Sequence, residues 1–378
     1  MSTSYRDRLA KMRQRRRPSA TSGALTEMYK ARADSAYALD SADANEAYEN
    51  KGNGDATRYA LGAMEAVDAK YTSVSLGEGD RVAKQIKDKL PSTMPVTTRL
   101  QGSLALDIHI RASSDVDILV LAEWFLTHDT PTAPSKSYTS IPGTTTVGEL
   151  YSLRQQCELI LPVAYPAATV DIDKAKSITL EGGSLARKVD VVPAHWHDTS
   201  AYQTTGHEAF RDVFIFNKDE FVRQSNRPFM HMLLINHLDG ESGGGAKRAI
   251  RLLKCLIRDA DRDYTLTSFD VASLIYHMTK DELTVPWYLP LQLLNRVESF
   301  LARLETNPGS ARQLQTPDGT RKILNESKKE VDLGVLRAEL TALIEAVGTD
   351  YISYLPFYQN KTLALDAARG ALNEAVIQ

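Results

Sequence analysis

The first regular pattern in the chain is helical. From residue 60 to 90, apolar side chains recur at helical spacing, and Val82, Ile86 and Leu90 fall on one stripe. The pattern weakens at Gly77-Glu78-Gly79, where glycines interrupt it. The sequence therefore predicts a helical segment that is broken at these glycines and packs one face on a core.

Short apolar runs follow and predict strands. Two of them, Val96–Leu100 and Val116–Ala122, are separated by residues 101–115. Two more, Ser177–Leu180 and Arg187–Val192, are joined by Gly182-Gly183, which predicts a hairpin. Residues 127–148 are rich in Thr, Ser and Pro and are predicted to form a loop.

Helical periodicity returns at 149–160 and then dominates from Phe210 to Ala375. This shift predicts an α+β fold with a sheet lobe and a C-terminal α-helical lobe. We divide the chain into a basic N-terminal tail with weak helices (1–58), a catalytic core (59–209) and the α-helical lobe (210–378).

Charge and composition are those of an ordinary soluble protein, with 43% hydrophobic and 25% charged residues and a net charge of −3. Residues 1–17 carry a local charge of +6, so the rest of the chain is acidic. We interpret this basic segment as a solvated, flexible tail; the alternative is a binding site for nucleic acid or an acidic partner. No apolar run approaches a membrane span, and the two cysteines fit buried thiols in a reducing cytoplasm.

The chemistry is concentrated in Asp115 and Asp117, which stand two apart at the start of an apolar strand. Residues at this spacing point to the same face of a strand, so the two carboxylates converge. Two like charges this close resist ionising together, and a divalent cation removes the conflict. Mg²⁺ prefers one or two carboxylates plus substrate phosphates, which predicts a metal-dependent phosphate site.

Gln101, Gly102 and Ser103 precede these acids, and Ser103 is twelve residues before Asp115. A glycine lets the backbone approach a ligand closely, and amide groups at the opening of a helix can hold a phosphate. A third acid, Asp190, lies in a later apolar strand; alone it could be an acid at the rim of a sheet, with Pro193 predicted to end the strand. Each piece alone also fits a turn or a solvated acid, but the combination predicts a nucleotidyltransferase.

The Gln-Gly-Ser motif, the step to Asp-Val-Asp, and Asp190-Val-Val-Pro-Ala together resemble the cGAS/DncV-like nucleotidyltransferases (CD-NTases). This family is a branch of the DNA polymerase β-like superfamily, which also holds oligoadenylate synthases and cyclic GMP–AMP synthase. The resemblance covers residues 59–278 and implies an active site in the cleft between a sheet lobe and a helical lobe.

The resemblance also implies roles for three later residues. Lys254, in Ile-Arg-Leu-Leu-Lys, corresponds to a lysine that reaches the triphosphate, and Ser268 to a serine that contacts a phosphate. Phe269 corresponds to an aromatic residue that stacks on a base. Each has a structural alternative: a surface lysine for Lys254, a helix N-cap for Ser268 and a core side chain for Phe269.

The mechanism that follows uses two Mg²⁺ ions, with Mn²⁺ as an alternative, held by Asp115, Asp117 and Asp190. Asp190 is the candidate base for the acceptor hydroxyl. The resemblance implies a cyclic di- or trinucleotide made from NTPs, ATP or GTP above all, as a second messenger for a separate effector in bacterial antiphage defence (CBASS). A regulatory protein that holds the C-terminal segment 372–378 is a further implied partner.

Rival functions remain open at this point. A linear oligonucleotide synthase or an RNA-tailing enzyme would need a basic groove, and the acidic body argues against one. Enzymes that nucleotidylylate proteins or antibiotics typically have a different Gly-Ser loop, and a pure nucleotide sensor would not need the third acid. Two cysteines do not suffice for the zinc module through which cyclic GMP–AMP synthase engages DNA, which argues against activation by nucleic acid.

Overall fold

The structure, a computed structural model, describes residues 4–15, 46–111, 114–131, 138, 143–352 and 365–377. Its centre is a mixed sheet with the strand order β1-β2-β5-β4-β3, in which β6 also pairs with β5 and β7 with β6. The strands are β1 Val96–Gln101, β2 Val116–His128, β3 Thr169–Asp171, β4 Ile178–Glu181, β5 Val189–Asp198, β6 Asp212–Asn217 and β7 Val222–Asn226.

Strand β5 organises the sheet. It runs parallel to β2 and antiparallel to β4 and β6, so its first half lies between β2 and β4. The four strands predicted from the sequence are confirmed, and so is the β4–β5 hairpin, in which Gly182 and Gly183 have positive φ. Because β2 and β5 are parallel, both begin at the same edge of the sheet.

The prediction that the chain is helical from residue 210 onward is wrong for its first part. β6 and β7 extend the sheet as far as Asn226, and the helices resume only at Pro228. The apolar residues of β6 look equally suitable for a helix, but Val213 pairs with Trp196 of β5 and is fully buried there. Tertiary pairing therefore decides the structure of this segment.

Fourteen α-helices are present among the described residues. They are α1 Tyr5–Gln14, α2 Asp55–Met64, α3 Ala69–Lys89, α4 Gly102–Ala105, α5 Thr146–Ala164, α6 Ser200–Thr205, α7 Pro228–Glu241, α8 Gly245–Asp259, α9 Ser268–Tyr276, α10 Lys280–Leu283, α11 Gln292–Thr306, α12 Pro308–Ala311, α13 Ser327–Ile352 and α14 Leu365–Glu374.

Helices α3 and α5 cover one face of the sheet, where Val82 and Ile86 lie in the same apolar cluster as the strand residues. The predicted break at Gly77–Gly79 is wrong, because α3 runs through it without interruption. A Cβ atom at Gly79 would lie 3.0 Å from the Val116 side chain. The glycine therefore permits close packing of the helix on the sheet.

The N-terminal segment is also different from the prediction. Residues 5–14 form a helix, and Leu9 is buried in the helical core. Arg8 pairs with Glu339 of α13, and Arg15 pairs with Asp259 of α8 at 2.7 Å. A solvated tail was the wrong interpretation for these residues, because distant acids neutralise the charges; residues 16–45 lie outside the described part.

The helical lobe has one core that also takes in α2 and the loop 106–110. Residues 59–64 therefore pack with the helices and not with the sheet, although we assigned them to the catalytic core. At the other end of the chain, Leu372 and Ile377 are buried in this core, and the Ile377 amide donates to the Tyr288 carbonyl. Within the described residues, no helix has the length and apolar composition needed to cross a membrane.

Candidate active site

Four side chains form a row across the edge of the sheet where β2 and β5 begin. The strand register sets Gln101 opposite Asp117, Asp117 opposite Asp190, and Asp190 opposite Thr179. Neighbouring strands lie about 4.8 Å apart, so the two carboxylates stand side by side. The sequence predicted the residues of this row except Thr179, and the parallel register brings Asp117 and Asp190 together.

Asp115 lies just before β2, next to Lys188 of the neighbouring strand. The Val116 amide donates to the Lys188 carbonyl at 3.0 Å, which fixes the two chains at this point. The Lys188 ammonium donates to Asp115 Oδ2 at 2.8 Å, and this hydrogen bond raises the pKa of Lys188. Asp115 is therefore held in an ion pair with Lys188 at the edge of the sheet where β2 and β5 begin.

Asp117 is the electrostatic centre of the site. Its pKa is raised to about 7, first by burial and then by the charges of Asp190 and Asp115, while Lys188 and Lys174 lower the pKa by less. A carboxyl with such a pKa carries a proton for much of the time at neutral pH. The row therefore lacks positive charge, and a cation bound between the carboxylates would lower this pKa.

Asp190 is oriented by two groups that the sequence analysis missed. The Thr179 hydroxyl donates to Asp190 Oδ1, and Thr179 is buried. The Lys174 ammonium lies 3.7 Å from the same oxygen. The Lys174 carbonyl accepts from the buried Arg154 at 3.1 Å, so the backbone of the lysine is fixed.

Gly102 opens the short helix α4 directly against Asp117. Its φ of +75° is one that favours glycine, and a Cβ atom here would lie 2.3 Å from Asp117 Oδ2. The Ser103 carbonyl accepts from the Ile108 amide at 3.0 Å, and Ser103 is partly exposed. The predicted Gly-Ser element therefore touches the carboxylate row, and a side chain at its first position would have to displace the Asp117 carboxylate.

Helix α8 holds the loop that follows α4. Lys254 is 5% exposed, and its ammonium donates to the Ile108 carbonyl at 2.7 Å, while burial lowers its pKa to about 8. Arg251 donates to the carbonyls of Asp107 and Met64 at 2.7 and 2.9 Å. Lys254 is therefore buried beside the site, which excludes the surface-lysine alternative, and Arg251 is a supporting residue that the sequence analysis missed.

Ser268 and Phe269 lie at the start of α9. The N-cap of α9 is Thr267, which forms a capping box with Asp270, so the N-cap alternative for Ser268 is wrong by one residue. The Phe269 ring stacks on His231 with 4.3 Å between centroids, and Arg321 lies 5.3 Å from its centroid. Among the contacts of the described residues, none joins Ser268 or Phe269 to the three aspartates.

The donor set fits a hard divalent cation, since it offers carboxylate oxygens beside an exposed glycine backbone. Within the described part of the chain, no three His, Cys, Asp or Glu side chains already converge at metal-binding distance. Lys188 and Lys174 neutralise part of the charge in that arrangement. The carboxylates would therefore have to exchange these lysine contacts for a metal ion.

Comparison with known sequences identifies clear relatives, although no family model matches the chain. The chain is 38% identical over 312 residues to the cyclic dinucleotide synthase CdnE of Yersinia aleksiciae, which covers 82% of this chain and 80% of the relative. It is 32% identical over 244 residues to a c-di-GMP synthase of Lachnospiraceae bacterium (strain RUG226), which covers 59% of this chain and 69% of the relative.

Solved structures share the fold. A STING-associated CdnE c-di-GMP synthase from Capnocytophaga granulosa gives a TM-score of 0.69 at 24% identity, covering 92% of this chain and 99% of the other. A second, from Flavobacteriaceae sp., gives a TM-score of 0.72 at 21% identity, covering 91% and 98%. The predicted α+β fold is confirmed by this likeness.

Proposed function

Because the chain belongs to the cGAS/DncV-like nucleotidyltransferases (CD-NTases), we propose that its product is c-di-GMP, made from two molecules of GTP. Its relatives show that the protein is a nucleotidyltransferase that makes a cyclic dinucleotide, in a family that serves antiphage signalling. The choice of guanine is the proposal. It is supported by the Lachnospiraceae and Capnocytophaga relatives, both named c-di-GMP synthases.

One observation supports the chemistry above all: Asp117 and Asp190 face each other in the parallel register, with Asp115 two residues before Asp117. We assign Asp115, Asp117 and Asp190 to the binding of divalent metal, which enzymes of this family use. Asp190, at the acceptor side, orients the attacking ribose hydroxyl and takes up its proton. Bound metal would lower the pKa of that hydroxyl and offset charge on the departing pyrophosphate.

The remaining residues position the donor nucleotide. Gly102 and Ser103 are assigned to the β and γ phosphates, since the backbone is open there and lies against Asp117. Gln101 ends β1 opposite Asp117 and is assigned to the same nucleotide site. Lys254 contributes positive charge beside the site, close enough to Asp117 for each to affect the pKa of the other.

Ser268 is exposed at the start of α9, where its hydroxyl is free to meet a phosphate oxygen once the nucleotide enters the cleft. For Phe269, base stacking competes with packing, because its ring already stacks on His231. We therefore assign Phe269 to base stacking on the condition that its ring leaves His231 when the nucleotide binds. The assignment predicts that Phe269→Leu raises the KM for GTP.

The proposed downstream partner is a STING-type receptor, since two structural neighbours are called STING-associated. Two Mg²⁺ ions and a cytoplasmic location complete the proposal. A regulatory protein at the C-terminus would have to displace or bind the C-terminal segment, in which Leu372 and Ile377 are buried in the chain's own helical core.

Nucleotide choice tests the proposal. The purified protein is incubated with Mg²⁺ and each NTP alone and in pairs, and phosphatase-resistant products are identified by mass. GTP alone is expected to give c-di-GMP at the rate seen with all four NTPs. A product that requires ATP, UTP or CTP would refute the guanine assignment and leave the nucleotidyltransferase assignment intact.

A further inference from the structure

We infer that Lys188 is a built-in counter-ion of Asp115, Asp117 and Asp190. The Lys188 ammonium must leave Asp115 before a metal ion can bind there. This inference rests on the proposed metal-binding role of Asp115. It adds a residue that controls how readily metal enters the site when nucleotide is absent.

The position of Lys188 follows from the sheet. Lys188 is two residues before Asp190, as Asp115 is two before Asp117, and β2 and β5 pair in parallel with Asp117 opposite Asp190. Side chains two apart along a strand share a face. Lys188 is therefore the fourth charged side chain of the same face and stands directly beside Asp115.

The charges explain what Lys188 does there. Three carboxylates lie along this edge, and the 2.8 Å contact of Lys188 with Asp115 is the shorter of the two lysine contacts with them. Without nucleotide, this ammonium supplies much of the positive charge that the carboxylates need. A metal ion on Asp115 would bring two more positive charges next to it, so the two cations exclude each other.

The side chain can leave without breaking the fold. Lys188 is 32% exposed at its side chain, and its strand is held by the hydrogen bond from Val116 to its backbone carbonyl, which does not involve the ammonium. A lysine ammonium is a compact, strongly hydrated charge on a flexible stem, so water can take it up as it swings away. Displacement therefore breaks an ion pair and leaves the backbone hydrogen bond between the two chains intact.

Manganese binding to the nucleotide-free protein tests this inference. Free Mn²⁺ gives a strong electron paramagnetic resonance signal that falls on binding, so the Kd is measured without catalysis. Lys188→Met is expected to bind Mn²⁺ about tenfold more tightly than the wild type, because the competing charge is gone. Lys188→Gln should do the same, and Lys188→Arg should stay close to the wild type.

The matched control is Lys84→Met, since Lys84 also pairs with an aspartate, Asp88, but on the exposed surface of α3. Its Mn²⁺ affinity is expected to be unchanged. Equal or weaker binding by folded Lys188→Met and Lys188→Gln, or equally tight binding by Lys188→Arg, would overturn the inference. The product assay is independent of this result. If the wild type makes c-di-GMP but Lys188→Met binds Mn²⁺ as the wild type does, only the inference about Lys188 is refuted and the proposed function stands.

Discussion

Asp117 of β2 lies directly opposite Asp190 of β5 in the parallel register, although 73 residues of sequence separate them. Burial, and after it the charge of Asp190, raises the pKa of Asp117 above that of an ordinary aspartate, and the juxtaposition completes the carboxylate row. Both the catalytic proposal and the electrostatic predictions depend on it.

The first prediction concerns stability and pH. The folded protein holds the Asp117 proton up to a pKa of about 7, whereas the unfolded chain releases it near the usual 3.8. The folded state therefore binds more protons between these values, and the free energy of unfolding falls as pH rises through this window. Asp117→Asn removes the effect and should be about 1–2 kcal/mol more stable than the wild type at pH 8.

Urea unfolding at pH 5 and pH 8, with a chelator to remove metal, measures this difference. Asp80→Asn, at an exposed position of α3, is the control and should follow the wild-type profile. Parallel pH profiles for the wild type and Asp117→Asn would show that Asp117 ionises normally.

The second prediction separates backbone strain from steric conflict at Gly102. Gly102→Ala places a methyl group 2.3 Å from Asp117 Oδ2 at a φ of +75°. Gly182→Ala has nearly the same φ, +77°, but meets no atom within 4 Å. Both should lose about 1 kcal/mol of stability through strain, and only Gly102→Ala should lose synthesis, by about a hundredfold or more. Similar activity in the two variants would contradict the assignment of Gly102 to the donor site.

The third prediction assigns a positioning role to Thr179. Thr179→Val keeps the side-chain volume but removes the hydroxyl that donates to Asp190, so kcat should fall about tenfold with little change in the KM for GTP. Thr179→Ser restores the donor and should recover most of kcat. If packing alone mattered, valine would be the active variant and serine the impaired one.

The fourth prediction concerns Arg251, which supports the loop that follows α4. Arg251→Met leaves the carbonyls of Asp107 and Met64 without their donor, in a place where Arg251 is only 6% exposed. The free energy of unfolding should fall by about 2–3 kcal/mol. Arg258→Met, at an exposed position of the same helix, should change it by less than about 0.5 kcal/mol. Equal stability of the two variants would argue against the role of Arg251 as a loop support.

The parts of the fold that follow from local pattern were predictable. Short spacings and flanking strands identify Asp115, Asp117 and the Gly102-Ser103 pair in the sequence. β6 was not predictable, because a short apolar run fits a helix and a strand equally well until a partner strand is known. The same holds for α1, whose arginines looked solvated because Glu339 and Asp259, their partners, are more than 240 residues away.

The position of Asp117, Asp190 and Gly102 at one edge of the sheet was predicted in outline, and the contacts around them were not. Lys188 could have been found, since its two-residue step to Asp190 puts both side chains on one face. Thr179 could not, because only the pairing of β4 with β5 sets it beside Asp190. The contact of Lys254 with the Ile108 carbonyl likewise depends on how α8 packs on the loop after α4.

Product analysis of the three aspartate variants tests the central claim most directly. The wild type, Asp115→Asn, Asp117→Asn and Asp190→Asn are each incubated with NTPs and Mg²⁺, and phosphatase-resistant products are resolved by mass. We predict a cyclic dinucleotide from the wild type and none from the variants, all of which unfold cooperatively. Cyclic product at the wild-type rate from any variant, or only linear product from the wild type, would contradict the account.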